Sequence, residues 1–144
     1  TVRTISGRAV ARARAARILA EGFRLDVEHK SDSGDFGEAV YFTTCMARAK
    51  AIGRAILEVE LELVNPIELS QSEAYALVID KLGFDTIHGH GVAGASLEEA
   101  RKARAHFLAA GHDAMVSNRG PRDLEIAVYD LSSIRQIRVR RAAV

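Results

Sequence analysis

Gly34-Asp35-Phe36-Gly37-Glu38-Ala39-Val40-Tyr41-Phe42-Thr43-Thr44 reads as a glycine-punctuated loop running into a short strand that ends in an aromatic pair and two hydroxyls. Gly34 and Gly37 lack the Cβ that would hold a ligand away from the backbone. Tyr41 offers a flat apolar ring with a hydrogen-bonding tip. The same residues also describe a tight turn ahead of a buried strand, so the stretch takes its meaning from what surrounds it.

Upstream, Val2 to Gly7 is β-leaning and Ala9 to Glu21 is alanine-rich and helical in pattern, stopped by Gly22. Phe23 to Val27 alternates as a short strand would, and residues 28–37 are polar and loop-like. Downstream, Ala39 to Thr43 is a strand and Thr44 to Ile52 a short helix. Arg54 to Val64 carries the clearest strand signal: Ile56 (or Leu57), Val59, Leu61 and Leu63 alternate with Glu58, Glu60 and Glu62. Asn65-Pro66 ends it. Ser70 or Ser72 can cap a helix to about Leu82, with Glu73 in its first turn. Residues 83–95 are a glycine-rich loop, and a helix runs from Ser96 to Gly111. Asp113 to Val116, Leu124 to Tyr129 and Ile134 to Val139 are strands. Strands and helices mix without regular βαβ alternation, which predicts an α+β fold.

The chain has 144 residues, read as a single domain over 1–144 with enough length to bury a core. Apolar residues make up 48% and charged residues 27%, an ordinary globular balance. A net charge of +1 supplies no global field for nucleic acid. One cysteine, Cys45, excludes an internal disulfide framework. No apolar run approaches the roughly 20 residues that span a bilayer, and the opening residues carry no secretory pattern. The expectation is a protein of the cytosol, in the producing or a recipient cell, with no membrane partner.

Three segments occur in order: Ile18-Leu19-Ala20-Glu21-Gly22-Phe23-Arg24-Leu25, then Asp35 to Thr43, then Leu124-Glu125-Ile126-Ala127-Val128-Tyr129-Asp130. Together they resemble the catalytic core of ADP-ribosyltransferases, the fold shared by diphtheria-type toxins, poly(ADP-ribose) polymerases and many small bacterial and phage enzymes. Asn65-Pro66 and Gly111 to Val116 are similar to that family too. The resemblance implies two packed antiparallel β-sheets with flanking helices and NAD in the cleft between them. It implies mono-ADP-ribosyl transfer from NAD, as co-substrate, to a macromolecular acceptor, a protein ahead of a nucleic acid, with nicotinamide released. A neutralising partner protein is a further implied partner.

The chemistry accounts for the residue types. Nicotinamide leaves C1″ of the ribose through a cationic transition state, which a carboxylate stabilises; the resemblance gives that role to Glu125. It gives Tyr41 the stacking role against nicotinamide. Asp123, two residues before Glu125, stands where arginine-modifying relatives carry a second carboxylate that activates the acceptor. The cofactor-binding set it implies is Arg8, Gly7, Phe36, Gly37, Tyr41, Thr43 and Thr44. Many relatives have histidine-glycine at the first active-site position; here Arg8-Ala9 falls there, a two-residue shift offers Ser6-Gly7, and Arg3 is a third alternative. Thr43 and Thr44 can equally cap the following helix. An NAD glycohydrolase and a catalytically silent binding module are the competing expectations.

Two other signals are set aside. His88-Gly89-His90 has no partner at zinc spacing, so no metal is expected. Arg135, Arg138, Arg140 and Arg141 alternate with apolar residues and read as the wet face of the last strand. His106 and His112 read as structural.

Overall fold

The computed structural model describes residues 2–10, 12–25, 36–52, 55–83 and 97–140. Its strands are β1 (Val2–Val10), β2 (Val40–Thr43), β3 (Ala55–Leu63), β4 (Ile67–Ser70), β5 (Ala114–Asn118), β6 (Leu124–Val128) and β7 (Ile134–Arg140). Its helices are α1 (Arg12–Glu21), α2 (Met46–Ile52), α3 (Gln71–Ala76) and α4 (Leu97–Ala109), with a π-helical turn, Leu77–Lys81, continuing α3. The class is α+β, as the mixed order of elements predicts.

The strands follow the order β4-β5-β6-β2-β1-β3-β7. One residue pair, Gly7 with Thr43, joins β1 to β2, whereas β1 and β3 pair along nine residues. The sheet is therefore two half-sheets, β4-β5-β6-β2 and β1-β3-β7, hinged at a single pair. It is not wholly antiparallel: β4 and β5 run parallel. A parallel pair needs a long crossover, and the chain between them carries α3 and α4.

Alternation in β3 sets the two faces. Leu57, Val59, Leu61 and Leu63 are fully buried, while Glu58, Glu60 and Glu62 take the other face, half-exposed. Leu57 thus takes the inward place and Ile56 the outer one. Each such burial contributes about 1.5–3 kcal/mol, so a one-residue register slip would move the whole apolar set into water. The first core joins these leucines to Ala15 and Ile18 of α1, Val40 and Phe42 of β2, and Ile126 and Val128 of β6. It crosses the hinge and holds both half-sheets. The second core lies on the opposite face, where Ala74, Val78, Ala103 and Phe107 cover Met115 and Ala127. Among the described residues none of its members comes from β3 or β7. On that face the β4-β5-β6-β2 half is covered by apolar packing while β3 presents a row of glutamates.

Several boundaries shift. β1 extends to Val10, so α1 starts later than its alanines suggest. Residues 23–25 form no strand: Gly22 closes α1 with φ +80 and its N–H donating to the Ile18 carbonyl, and Phe23 turns inward, edge-on to Phe42 at 5.5 Å. β4 was not foreseen, because four residues behind Asn65-Pro66 are too few to show a period. Ser70 caps α3 in a reciprocal box with Glu73.

Candidate functional site

Antiparallel register puts directly opposed residues on one face. One row crosses the whole sheet: Leu69, Ser117, Glu125, Thr43, Gly7, Glu58 and Arg138. The next row carries Met115, Ala127 and Tyr41 on the second core's face. Glu125 and Tyr41 are therefore diagonal neighbours on adjacent strands of one face, a relation that spans about 7–8 Å. They stand beside the hinge, at the boundary between the covered half and the glutamate-lined half. Toward that half the row continues from Glu125 through Thr43 to Gly7, which has no side chain.

Glu125 is held from the β5–β6 turn. Arg119 Nη1 donates to Glu125 Oε2 at 2.7 Å, and Arg119 Nε lies 3.3 Å from Asp123 Oδ1. That second contact has ion-pair distance without hydrogen-bond alignment, so Nε is buried with no hydrogen-bond partner. Asp123 is taken from the other side by Arg48 of α2, whose Nε donates to Oδ2 at 2.9 Å and Oδ1 at 3.2 Å. The hydrogen bond that Arg48 donates to Asp123, and then the carboxylate's charge, raise the Arg48 guanidinium above its ordinary value. Arg48–Asp123–Arg119–Glu125 is thus an alternating chain of charges. Arg119, Asp123 and Glu125 are all less than a fifth exposed, where ion pairs are screened far less than at the surface. Directly across from Glu125, the Ser117 Oγ is buried and has no hydrogen-bond partner among the described residues.

The two threonines lock this corner. Thr44 Oγ1 accepts from Leu124 N at 2.9 Å and donates to the Arg122 carbonyl at 3.3 Å, tying the end of β2 to the start of β6. Thr43 Oγ1 accepts from Cys45 N at 3.1 Å, the local cap that hydroxyls at a strand end can supply.

The glycine turn has a different task from the expected one. Gly37 has φ +110, and a Cβ there would lie 2.9 Å from Ala103 Cβ and 3.3 Å from the Ala100 carbonyl. The close approach it permits is by helix α4, not by a ligand. Glu38 N donates to the same Ala100 carbonyl, and Arg101 Nε to Glu38 Oε2. Phe36 is buried against Tyr75 at 5.3 Å, and its carbonyl accepts from the Tyr129 hydroxyl at 2.6 Å. Phe36 is thereby a core residue whose ring is not presented to a ligand. Tyr41 joins this turn: its hydroxyl donates to the Gly37 carbonyl and accepts from Phe36 N at 3.1 Å.

By register, Arg8 stands opposite Leu57 and Ser6 opposite Val59, whereas Gly7 and Arg3 stand opposite Glu58 and Glu62. Gly7 joins the Glu125 row; Arg8 and Ser6 do not. His88, Gly89, His90 and Gly34 lie outside the described residues. Among the described residues no group of three histidine, cysteine or acidic side chains could hold a metal, and no helix is long and apolar enough to cross a membrane. His112 Nδ1 lies 3.1 Å from the Asn65 carbonyl, and Arg135 and Arg138 pair across strands with Glu62 and Glu58.

Arg119, Arg48 and Ser117 escaped the sequence reading. Arg119 and Ser117 fall between the expected strands Asp113 to Val116 and Leu124 to Tyr129. Once those strands are taken as a hairpin, Ser117 opposite Glu125 and Arg119 beyond it follow. A cleft of about 230 Å³ opens beyond the other end of β6. Its Asp113 carboxylate accepts from Val64 N at 2.6 Å and Asn65 N at 3.2 Å, so its central acid is committed to joining β3 to β5. No family model, curated protein or solved structure matches this chain.

Proposed function

We propose that the protein is a mono-ADP-ribosyltransferase acting on NAD. The observation that carries this reading is the shared face of Glu125 and Tyr41 beside the single-pair hinge, a carboxylate on β6 and an aromatic ring on β2, with Gly7 beyond Thr43 in the carboxylate's row. Those residue types fit a nicotinamide ribose: an anion for the developing cation, a ring for the nicotinamide, and room for the sugar at Gly7. The C1″–N bond breaks and its electron pair leaves with nicotinamide. The acceptor's nucleophile forms the new bond to C1″ and gives up its proton to solvent or a base. Glu125 stabilises the cationic transition state, an electrostatic effect that amounts to several kcal/mol in preorganised sites. Tyr41 packs on the nicotinamide. The acceptor is a macromolecule, and water in its place makes the reaction NAD hydrolysis.

One observation favours a second reading, a silent binding module of the same architecture: the Glu125 carboxylate is already neutralised by Arg119. Incubating the protein with labelled NAD and a cell lysate separates the two. Transfer predicts nicotinamide release together with labelled macromolecules identifiable by mass spectrometry. Nicotinamide release without lysate and without labelling indicates hydrolysis. An absence of NAD binding by calorimetry rules out both NAD reactions.

A further inference from the structure

Asp123 is placed to bridge two arginines. Both Asp123 oxygens accept from Arg48 Nε, at 2.9 and 3.2 Å, and Oδ1 also faces Arg119 Nε at 3.3 Å. A cationic acceptor approaching here meets Arg48 and Arg119 already in place. Arg119, by contrast, has one strong, short contact, to Glu125 Oε2, and is only 14% exposed. Its guanidinium is a planar fork, able to hold two carboxylates at a fixed spacing where a lysine ammonium would serve as one point charge.

From this geometry we infer that Arg119 is the positioning residue for Glu125, and that Asp123, anchored by Arg48, acts only by holding Arg119. The inference rests on the NAD reading of the site and reassigns the second carboxylate within it. In its strand row Glu125 stands between Ser117 and Thr43, both short hydroxyl side chains. Arg119 supplies the lateral grip. Arg48 of α2 and Arg119 of the β5–β6 turn thus tie two elements to the carboxylate's orientation. The acceptor's nucleophile then receives no help from Asp123, and losing Asp123 harms bond breaking at C1″ whatever the acceptor is.

The test uses Arg119→Met, Arg119→Lys and Asp123→Asn in the full chain. Without any ligand, carboxyl-carbon NMR follows the titration of Glu125. Removing its cationic partner in Arg119→Met moves the midpoint upward; Arg119→Lys moves it less. An unmoved midpoint in Arg119→Met overturns the inference even if NAD turnover is absent. With NAD, nicotinamide release is measured with and without lysate, and NAD affinity by calorimetry. Arg119→Met lowers kcat by up to roughly 100-fold, the scale of a misplaced catalytic group, with NAD affinity nearly unchanged and partial rescue in Arg119→Lys. Asp123→Asn lowers kcat by the same factor in both arms. Loss confined to the lysate-dependent arm would make Asp123 the acceptor's base and overturn the inference while leaving the NAD reading intact. If wild-type protein binds no NAD, the NAD reading itself falls.

Discussion

At the scale of single residues, Glu125 and Tyr41 are distinguished by their partners. Glu125→Gln keeps the size of the side chain and removes the charge. The expected outcome is loss of nicotinamide release by at least about 100-fold, with NAD binding retained in calorimetry; undiminished turnover would remove Glu125 from the chemistry. Tyr41 combines a ring on the second core with a hydroxyl that serves the Phe36–Gly37 turn. Tyr41→Phe separates these parts. The ring remains, so kcat stays near wild type, while the Phe36 amide loses its acceptor and its hydrogen exchange speeds up. A collapse of kcat in Tyr41→Phe would mean that the hydroxyl, not the ring, matters to the reaction. Tyr129 is the buried counterpart: stacked on Phe107 at 4.9 Å, with burial pushing its phenol well above the ordinary value, it stays neutral and donates to the Phe36 carbonyl.

Elements fail or hold by their ends and their contacts. The Phe36–Ala39 turn is seated on α4, and the seat has no room for a methyl group at Gly37. Gly37→Ala combines overpacking, about 1–3 kcal/mol, with an unfavourable positive φ, roughly 1–2 kcal/mol. A fall in Tm of several degrees is expected, and an unchanged Tm would show that α4 yields freely. Helix α3 depends on its capping box. Bonds from the Ser70 backbone, and then its side chain, hold the Glu73 carboxyl below the ordinary glutamate range. A depressed carboxyl contributes stability above its unfolded pKa of about 4.3, and that contribution is lost as pH falls through the lower folded value. Glu73→Gln should therefore lower Tm at pH 7 and match wild type once both are below that range; an equal deficit at every pH would mean the charge plays no part. Ser70→Ala removes the cap itself, costing about 0.5–2 kcal/mol.

For the molecule as a whole, the legible parts were those with a long local pattern. β3 announces itself by seven alternating residues, Leu57 to Leu63, and α4 by its glutamates and closing Gly111. The joint roles of Tyr41 and Glu125 are an expectation of the resemblance carried by three segments in order, and the register puts the two residues on one face. What stayed hidden depends on chain segments meeting from afar. Arg48 reaches Asp123 across 75 positions, and Gly37 owes its identity to a helix more than sixty residues on. The parallel β4–β5 pair is likewise a tertiary fact, since four residues carry no period of their own. The same long-range character gives the assembly its two-part behaviour. The first core bridges the half-sheets, but only one pair of residues bridges their backbones. A dinucleotide beside that hinge touches both halves at once and so adds the contact that the ladder lacks. At 100 times its Kd, NAD should stabilise the fold by about 2.7 kcal/mol, a Tm rise of roughly 8 °C for a domain of this size. Hydrogen exchange should slow together in β2, β6 and β1, on both sides of the hinge. Protection confined to one half would place the ligand away from the boundary and detach Glu125 and Tyr41 from a common site.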